Sequence, residues 1–397
     1  MGKKKILIVL PDFPYPPRRN GISIRYYPII EYLGARYDLH ILAICKNFNN
    51  LNYKKDMEKY VSKVFVYNKK PITKPVLTRA YELVKSFIPF QKPYGLVNRD
   101  QKKIDEVFKE NLSSYNYDIA VSVTVNYFHE IKKFVKAKKY IIDGIDSRYL
   151  HNKRRGSSIL DQYKAFLEGE WEAKCARESD YISYVSPVDA NIIKTKTNNK
   201  VEIGVIPNGL FLDDFTEIRS TTDVSTIGFL GNMQYDSNIE AAVQVFDIYR
   251  VLKGKGRDIR YKIIGRNPVK IIRDLEKTAG VEVTGSVDSI WHHINSVSVF
   301  VFPMMIGSGQ QNKLLEAMYA GRPVVTTNLG NSGVQGIHGE HLIIANSQRE
   351  MVKAIIRILD TPGLSSTLGN NGKEFVINKY KWSEIFKKIE KEWNLSN

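Results

Sequence analysis

Short apolar runs alternate along the chain with longer stretches in which apolar positions recur at helical spacing. In the first half, five such runs predict buried strands. These runs are Ile6–Leu10, Leu39–Ile44, Ile119–Val123, Tyr140–Ile142 and Tyr181–Val185. Amphipathic stretches such as Ser23–Leu33 and Leu160–Ser179 predict helices between the strands. This alternation is typical of a doubly wound parallel sheet with helices on both faces.

The alternation restarts after residue 210. A turn, Ile206-Pro207-Asn208-Gly209, and a loose polar stretch, Asp213–Ser225, separate the two series. Six more strands are predicted at Thr226–Leu230, Tyr261–Ile264, Val281–Thr284, Val297–Phe302, Val324–Thr326 and Leu342–Ile344. We therefore predict an α/β protein with two Rossmann-like domains, residues 1–207 and 208–378, facing a central cleft. A terminal helix at 379–397 is expected to pack back towards the first domain.

The composition is that of a globular enzyme-sized chain. A chain of 397 residues is longer than one hydrophobic core usually supports, so two domains are expected. Its content of 43% hydrophobic and 25% charged residues is ordinary for a globular protein. No apolar run reaches the roughly 18 residues of a membrane span, and the run after Lys5 is too short for a signal peptide. Cys45 and Cys175 lack metal-ligand spacing and fit a reducing compartment, so we expect a cytoplasmic protein.

The net charge of +17 is concentrated in the first half. Residues 1–200 hold 37 Lys and Arg against 21 Asp and Glu, whereas residues 201–397 hold 22 against 21. A basic half indicates nucleic acid, an anionic membrane surface or a phosphorylated acceptor as partner, or else simple solubility charge. Within it, Lys74–Lys92 predicts either a basic amphipathic helix at a membrane interface or a core-packing helix with solvent-reaching lysines.

The segment Phe302–Met318 carries the clearest chemistry, because it predicts a strand, a glycine loop and a helix in succession. Gly307 and Gly309 let backbone N–H groups approach a phosphate, which the positive end of the helix dipole also attracts. Lys313 adds a full charge in the first turn, and Glu316 could accept two hydrogen bonds from a ribose diol. The alternative is an ordinary helix start with a Lys–Glu pair three residues apart.

This segment, with Gly321-Arg322-Pro323-Val324-Val325-Thr326-Thr327 after it, resembles the donor motif of glycosyltransferase family 4, which has the GT-B fold. Ile206-Pro207-Asn208-Gly209 resembles the family's entry to the second domain. Phe229–Tyr235 is similar to a subgroup of bacterial sugar transferases that assemble exopolysaccharide or capsule. The resemblance spans most of residues 5–395 and implies a nucleotide-sugar-dependent hexosyltransferase.

The resemblance also implies roles for residues. Lys313 should neutralise the donor diphosphate, Glu316 should hold the ribose, and Ser308 stands near the transferred hexose. The implied donor-binding residues are Gly231, Asn232, Arg266, Gly285, Ser286, Val287, Gly307, Gly309, Gln310, Gln311 and Asn312. The family retains the anomeric configuration and uses neither metal nor cofactor, and UDP is the expected donor nucleotide.

Two positions depart from the family pattern. Many members have a glutamate near the hexose where this chain has Ser308, so main-chain N–H groups and Gln310 are expected to replace it. Many members have an arginine where this chain has Asn232. Diphosphate neutralisation then depends on Lys313, the helix dipole and Arg266, unless Arg266 is a plain surface residue.

The loop after the first strand, Pro11–Gly21, is no Gly-x-Gly-x-x-Gly motif, which argues against NAD binding. Gly21 opens a helix, and the arginines nearby could meet an acceptor diphosphate or simply face solvent. Together with the carboxylate after a later strand, the predicted acceptor-side residues are Gly21, Arg18, Arg25 and Asp146.

The resulting prediction is a retaining, metal-independent transferase that moves a hexosyl unit to a hydroxyl of a lipid-linked glycan in surface polysaccharide biosynthesis. It is expected in the cytoplasm, peripheral at the inner face of the cell membrane, with no nucleic-acid partner. Two alternatives remain open at this point: a UDP-sugar 2-epimerase of the same fold, and a basic, non-catalytic adaptor for membrane or nucleic acid.

Overall fold

The computed structural model describes residues 2–46, 51–69, 88–89, 91–93, 100–211 and 224–395. The chain divides into two compact units, one of Met1–Asn208 with Ile385–Asn397 and one of Gly209–Glu384. Most of the predicted amphipathic stretch Lys74–Lys92 lies outside the described residues, as does most of the polar stretch that precedes residue 225. No helix within the described ranges is both long enough and apolar enough to cross a bilayer.

The first unit is built on a parallel sheet with the strand order β3-β2-β1-β4-β5-β6-β7. Its strands are β1 (Lys5–Leu10), β2 (Asp38–Cys45), β3 (Lys63–Asn68), β4 (Asn116–Val123), β5 (Lys136–Asp143), β6 (Tyr181–Tyr184) and β7 (Ile203–Val205). Its helices are α1 (Gly21–Gly34), α2 (Leu51–Met57), α3 (Gln101–Leu112), α4 (Phe128–Phe134), α5 (Arg148–Arg155), α6 (Ile159–Glu178) and α7 (Pro187–Lys196).

Burial explains why these runs form strands. Every residue from Ile6 to Leu10 is fully buried, since β1 lies between β2 and β4 and helices cover both faces of the sheet. Helix α1 begins with a capping box, in which Asn20 and Ser23 satisfy each other's backbone N–H groups. The two strands that the apolar pattern missed, β3 and β7, are the outermost strands of this sheet.

The second unit repeats the plan with the order β10-β9-β8-β11-β12-β13. Its strands are β8 (Ser225–Leu230), β9 (Ile259–Ile264), β10 (Val281–Val283), β11 (Val299–Phe302), β12 (Val324–Thr326) and β13 (Ile343–Ile344). Its helices are α8 (Asp236–Gly254), α9 (Lys270–Leu275), α10 (Ile290–Asn295), α11 (Asn312–Tyr319), α12 (Asn328–Asn331), α13 (Gln348–Asp360) and α14 (Leu364–Tyr380). All the strand pairs of this sheet are parallel.

The last helix, α15 (Trp382–Trp393), begins in the second unit, and its residues from Ile385 onward belong to the first. Within the first unit, Phe386 stacks on Tyr32 with ring centroids 4.1 Å apart. The Tyr32 hydroxyl donates to Glu390 at 2.8 Å. The two parallel sheets confirm the predicted α/β class with two Rossmann-like domains.

Candidate functional site

The carboxyl ends of β8 and β11 are neighbours at the point where the strand order of the second sheet reverses. Ligands of doubly wound sheets bind at this point, because the helices that follow the two strands diverge to opposite faces and leave a crevice. Here β8 leads into Gly231 and Asn232, and β11 leads into the glycine loop before α11. Predicted donor residues from both segments therefore lie at one edge of the second unit.

Two glycines bring the ends of β8 and β9 close together. A Cβ atom on Gly265 would lie 1.8 Å from the carbonyl oxygen of Gly231, and the φ of Gly265 is +148°. Both facts exclude any other residue at position 265 without a shift of the backbone. The Gly231 N–H donates to the Ile264 carbonyl at 3.0 Å, so this turn is fixed from both strands.

Asn238, in the first turns of α8, joins the β8 turn to α11. Its amide nitrogen donates to the Asn232 carbonyl at 2.9 Å, and its amide oxygen accepts from Lys313 Nζ at 2.6 Å. The sequence interpretation did not single out Asn238 as a site residue. Its position offered a signal, because the first turns of a helix that follows a central strand lie beside the carboxyl edge of the sheet.

Lys313 occupies an apolar setting. Its Nζ lies 5.0 Å from the ring centroid of Phe229 and 5.9 Å from that of Phe302. Burial lowers the pKa of Lys313 from 10.5 to about 7, and the Glu316 carboxylate one turn further along α11 opposes this shift only in part. An ammonium group in this position gains from any anion that enters, since burial has removed much of its water.

The glycine loop before α11 has a backbone that only glycine adopts readily, with φ of +137° at Gly307 and +72° at Gly309. Gly333 supports it from behind, where an added Cβ would meet the Gly309 carbonyl oxygen at 2.3 Å. In the part of the chain that the structure describes, the side chain of Gln311 makes no capping hydrogen bond to α11. The loop and the start of α11, with Ser308, Gln310 and Asn312, follow the carboxyl end of β11 and so lie at the same edge of the sheet as Lys313.

The segment after β10 lies beside the turn that follows β9. The Gly265 N–H donates to the Thr284 hydroxyl at 3.3 Å, and Gly285 follows with a φ of +66°. Ser286 and Arg266 are exposed and Val287 is half-buried. The structure therefore brings the predicted segments 231–232, 265–266, 285–287 and 307–316 to the carboxyl edge of a single sheet.

The prediction that Arg25 faces an acceptor is wrong. Its side chain is fully buried, with Nε 2.6 Å and Nη2 3.0 Å from the two carboxylate oxygens of Asp143. Nη1 donates to the Pro207 carbonyl and to the Asn208 side chain. Since every edge of the guanidinium is engaged inside the first unit, Arg25 links β5 to the end of that unit and offers no surface to a ligand.

The other three residues predicted on the acceptor side are exposed or half-buried. Arg18 is exposed with a φ of +65°, Gly21 is the exposed first residue of α1, and Asp146 is half-buried after β5. The loop before α1 is organised by Asp12, which pairs with Arg19 at 3.0 Å and accepts from the Asn20 amide at 2.7 Å. A role of Arg18, Gly21 and Asp146 in acceptor binding stays a prediction.

Comparisons with known proteins agree with this architecture. Residues 224–361 match the family model described as Glycosyl transferases group 1. An uncharacterised glycosyltransferase of Methanocaldococcus jannaschii is 22% identical over 98% of both chains. The capsular polysaccharide biosynthesis glycosyltransferase CapM of Staphylococcus aureus is 25% identical over 43% of this chain and 46% of its own.

Two solved structures have the same fold. Sucrose-phosphate synthase of Thermosynechococcus elongatus superposes with a TM-score of 0.74 at 14% identity, over 99% of this chain and 98% of its own. HepE of Anabaena, solved with UDP and glucose, superposes with a TM-score of 0.66 at 12% identity, over 98% of this chain and 99% of its own.

The matched domain contains all four segments at the carboxyl edge of the second sheet, and the whole chain has the GT-B fold of these structures. The chain is therefore an enzyme of the glycosyltransferase class. It carries a domain of the Glycosyl transferases group 1 family at residues 224–361, as the resemblance in its sequence predicted.

Proposed function

We propose that the chain transfers a hexosyl unit from a nucleoside diphosphate sugar, with UDP as the nucleotide, to a hydroxyl of a lipid-linked glycan. The observation that carries the proposal is the position of the Lys313 ammonium. Lys313 lies at the start of α11, its Nζ donates to Asn238 of α8, and two aromatic rings lie beside it. A diphosphate is the anion that best fits a buried cation next to a helix N-terminus and a glycine loop. HepE, with the same fold, binds UDP-glucose.

The remaining donor contacts follow from the order of segments along the edge. Glu316, one turn beyond Lys313, would hold the ribose hydroxyls of a donor whose diphosphate lies at the helix start. The turn at Gly285 and Ser286, with Arg266 near it, would receive the base. The Gly307–Gln311 loop would face the hexose, with Ser308 and Gln310 as its polar side chains.

The chemical difficulty is departure of the nucleoside diphosphate while positive charge develops at the anomeric carbon. Lys313 and the backbone N–H groups at the start of α11 stabilise the leaving phosphate most when its charge is greatest, in the transition state. A lysine in this role supplies the charge that a metal ion would otherwise bring, so we propose metal-independent transfer. We propose that the configuration is retained, with the leaving phosphate taking the acceptor's proton on the same face.

A place in surface polysaccharide assembly is supported by the similarity to CapM, whose name assigns it to capsule biosynthesis. The acceptor is then a membrane-borne glycan, and the excess of basic residues before position 200 favours a peripheral location on an anionic membrane surface. Arg18, Gly21 and Asp146 are the proposed acceptor-side residues.

The proposal is tested first by ligand binding. UDP-, GDP- and ADP-sugars are compared by thermal unfolding, because a ligand of the folded state raises the unfolding temperature. Stabilisation by a UDP-sugar is expected, and no response to any sugar nucleotide contradicts the proposal.

Product analysis then separates the alternatives. NMR of the product formed in the presence of EDTA should show an unchanged anomeric configuration. Conversion of the donor alone to its 2-epimer, without transfer to an acceptor, would favour the epimerase instead.

A further inference from the structure

The hairpin formed by α5 and α6 exposes large apolar side chains at its tip. Four of them define the hairpin tip: Ile159 is 92% exposed, Leu160 50%, Phe166 41% and Tyr163 39%. Single exposed apolar residues are common on protein surfaces, but clusters of them mark contact surfaces.

The hairpin tip forms one continuous stripe. Ile159, Tyr163 and Phe166 follow one another at spacings of four and three residues, so they share one side of α6. Leu160 adjoins them three residues before Tyr163. The rings of Tyr163 and Phe166 lie stacked with centroids 6.2 Å apart. The stripe therefore covers the first two turns of the helix.

Exposed basic residues at the end of α5 flank this stripe. The basic residues between positions 148 and 166 are Arg148, Lys153, Arg154, Arg155 and Lys164. Arg148 pairs with Glu168 at 3.0 Å and Lys164 with Asp161 at 4.0 Å. Lys153 and Arg155, in contrast, are exposed at the end of α5. Lys196 Nζ lies 5.0 Å from the ring centroid of Phe166 and pairs with Glu170 at 3.0 Å, so it contacts the stripe without adding net charge. An apolar stripe with basic flanks is complementary to an anionic lipid surface, where acyl chains lie below negative head groups.

The hairpin is held in shape before any partner arrives. Ser158 caps α6, and Gln162 donates to the carbonyls of Lys153 and Gly156 at the end of α5. The start of α5 is fixed by two buried carboxylates of α6, since Glu172 accepts from the Arg148 N–H and Glu168 pairs with the Arg148 guanidinium. Contact through the tip would therefore cost little ordering of the chain.

We propose that the hairpin tip, with the basic residues at the end of α5, is the surface through which the chain binds an anionic bilayer. The inference rests on the membrane location in the proposed function and assigns it to particular residues. Ile159, Leu160, Tyr163 and Phe166 enter the interfacial layer, and Lys153 and Arg155 meet the lipid phosphates. A site of this kind is independent of the donor edge, which lies in the second unit.

The test is co-sedimentation of the full chain with vesicles, at low salt and without donor. Vesicles of phosphatidylcholine alone are compared with vesicles of equal parts phosphatidylcholine and phosphatidylglycerol. The wild-type chain should bind only the anionic vesicles appreciably. Ile159→Ser with Leu160→Ser should weaken this binding about tenfold or more, because both side chains lose their insertion into the interface. Lys153→Gln with Arg155→Gln should weaken it about thirtyfold.

Matched controls keep the outcome specific. Ile271→Ser removes an isoleucine that is 54% exposed in the second unit, and Lys102→Gln with Lys103→Gln removes two exposed charges from α3 of the first unit. Both should bind vesicles like the wild type. Equal losses in the controls and the hairpin variants overturn the proposal, as does wild-type binding by the hairpin variants.

Two further measurements separate this inference from the proposed function and from self-association. UDP-glucose binding should be unchanged in the hairpin variants; loss of vesicle contact alone is the supporting result. If the wild-type chain binds UDP-glucose but no vesicles, the proposed membrane-binding surface is contradicted, whereas the proposed transferase function is not. Dissociation of a dimer by Ile159→Ser with Leu160→Ser, without a change in vesicle binding, would assign the tip to a second copy and overturn the proposal.

Discussion

Lys313 Nζ lies 2.6 Å from the amide oxygen of Asn238, across 75 residues of sequence. The contact joins the helices that follow β8 and β11, the two strands at the reversal point of the sheet. Asn238 also donates to the Asn232 carbonyl, so a single amide sets the position of the cation relative to the β8 turn. The diphosphate site that we propose depends on this three-residue arrangement.

Replacement of Lys313 by alanine should abolish most catalysis without unfolding the chain. The loss of a charge that acts on the leaving phosphate is expected to lower kcat about 100-fold or more. Steady-state kinetics with a UDP-sugar and thermal unfolding measure the two effects. Lys277→Ala, an exposed lysine of the same unit, is the control. Wild-type turnover by the Lys313 variant would contradict the assignment.

Asn238→Ala should weaken UDP-sugar binding about tenfold, because the ammonium of Lys313 loses its fixed hydrogen-bond acceptor. Asn238→Asp should weaken it further, since the new carboxylate competes with the diphosphate for Lys313 and repels it. Calorimetric titration of both variants with UDP-glucose gives the comparison. Tighter binding by the aspartate variant would show that Lys313 does not face the diphosphate.

Donor binding should fall as the pH rises above neutrality. The pKa of Lys313 is about 7 in the free chain, and a bound diphosphate would raise it, so binding above pH 7 requires uptake of a proton. The affinity for UDP-glucose should therefore drop by up to about tenfold per pH unit from pH 7 towards 8.5.

The control for this pH dependence is Lys313→Arg, because arginine keeps its charge throughout this range. Its affinity for UDP-glucose, even if lower overall, should be independent of pH. A wild-type affinity that is equally flat would mean that Lys313 does not titrate on donor binding.

Arg25→Ala should destabilise the first unit by about 3–5 kcal/mol, because it leaves the Asp143 carboxylate buried without its partner. Arg25→Lys keeps the charge and should cost less. Arg18→Ala, at an exposed position, should leave the unfolding temperature unchanged. Chemical denaturation measures these differences. If the Arg25→Ala chain is as stable as the wild type and has a raised KM for the acceptor, Arg25 binds the acceptor and its structural role is contradicted.

Gly333→Ala should weaken donor binding, since the added Cβ would press on the Gly309 carbonyl and displace the glycine loop. The displacement changes the KM for the donor more than the fold, because Gly333 itself has no requirement for a positive φ. Gly254→Ala is the matched control, with no atom within 4 Å of the new methyl group. Equal KM values for the donor in the two variants would show that the glycine loop does not contact the donor.

The elements of both sheets were predictable because most of their strands are buried on both faces and stand out as apolar runs. Only the outer strands β3 and β7 escaped this pattern. The placement of Lys313, Glu316 and the neighbouring glycines at one edge of the sheet was also predictable, since one continuous segment holds them, while their role in donor binding stays a prediction.

Contacts between distant segments were not predictable from the same reasoning. The position of Asn238 at the start of α8 indicated the carboxyl edge of the sheet, but its contact with Lys313 arises only because β8 and β11 pair. Arg25 looked like an accessible cation because charge is visible in a sequence whereas burial against Asp143, 118 positions away, is not. The exposed stripe of α6 was hidden for a related reason, because its apolar residues are those of an ordinary buried helix face.

The most direct test of the donor assignment is a crystal structure of the chain with UDP-glucose. We predict that the diphosphate contacts Lys313 Nζ and backbone N–H groups between Gly307 and Asn312, and that the ribose lies within hydrogen-bonding distance of Glu316. A diphosphate bound elsewhere, with Lys313 still occupied only by Asn238, would contradict this assignment.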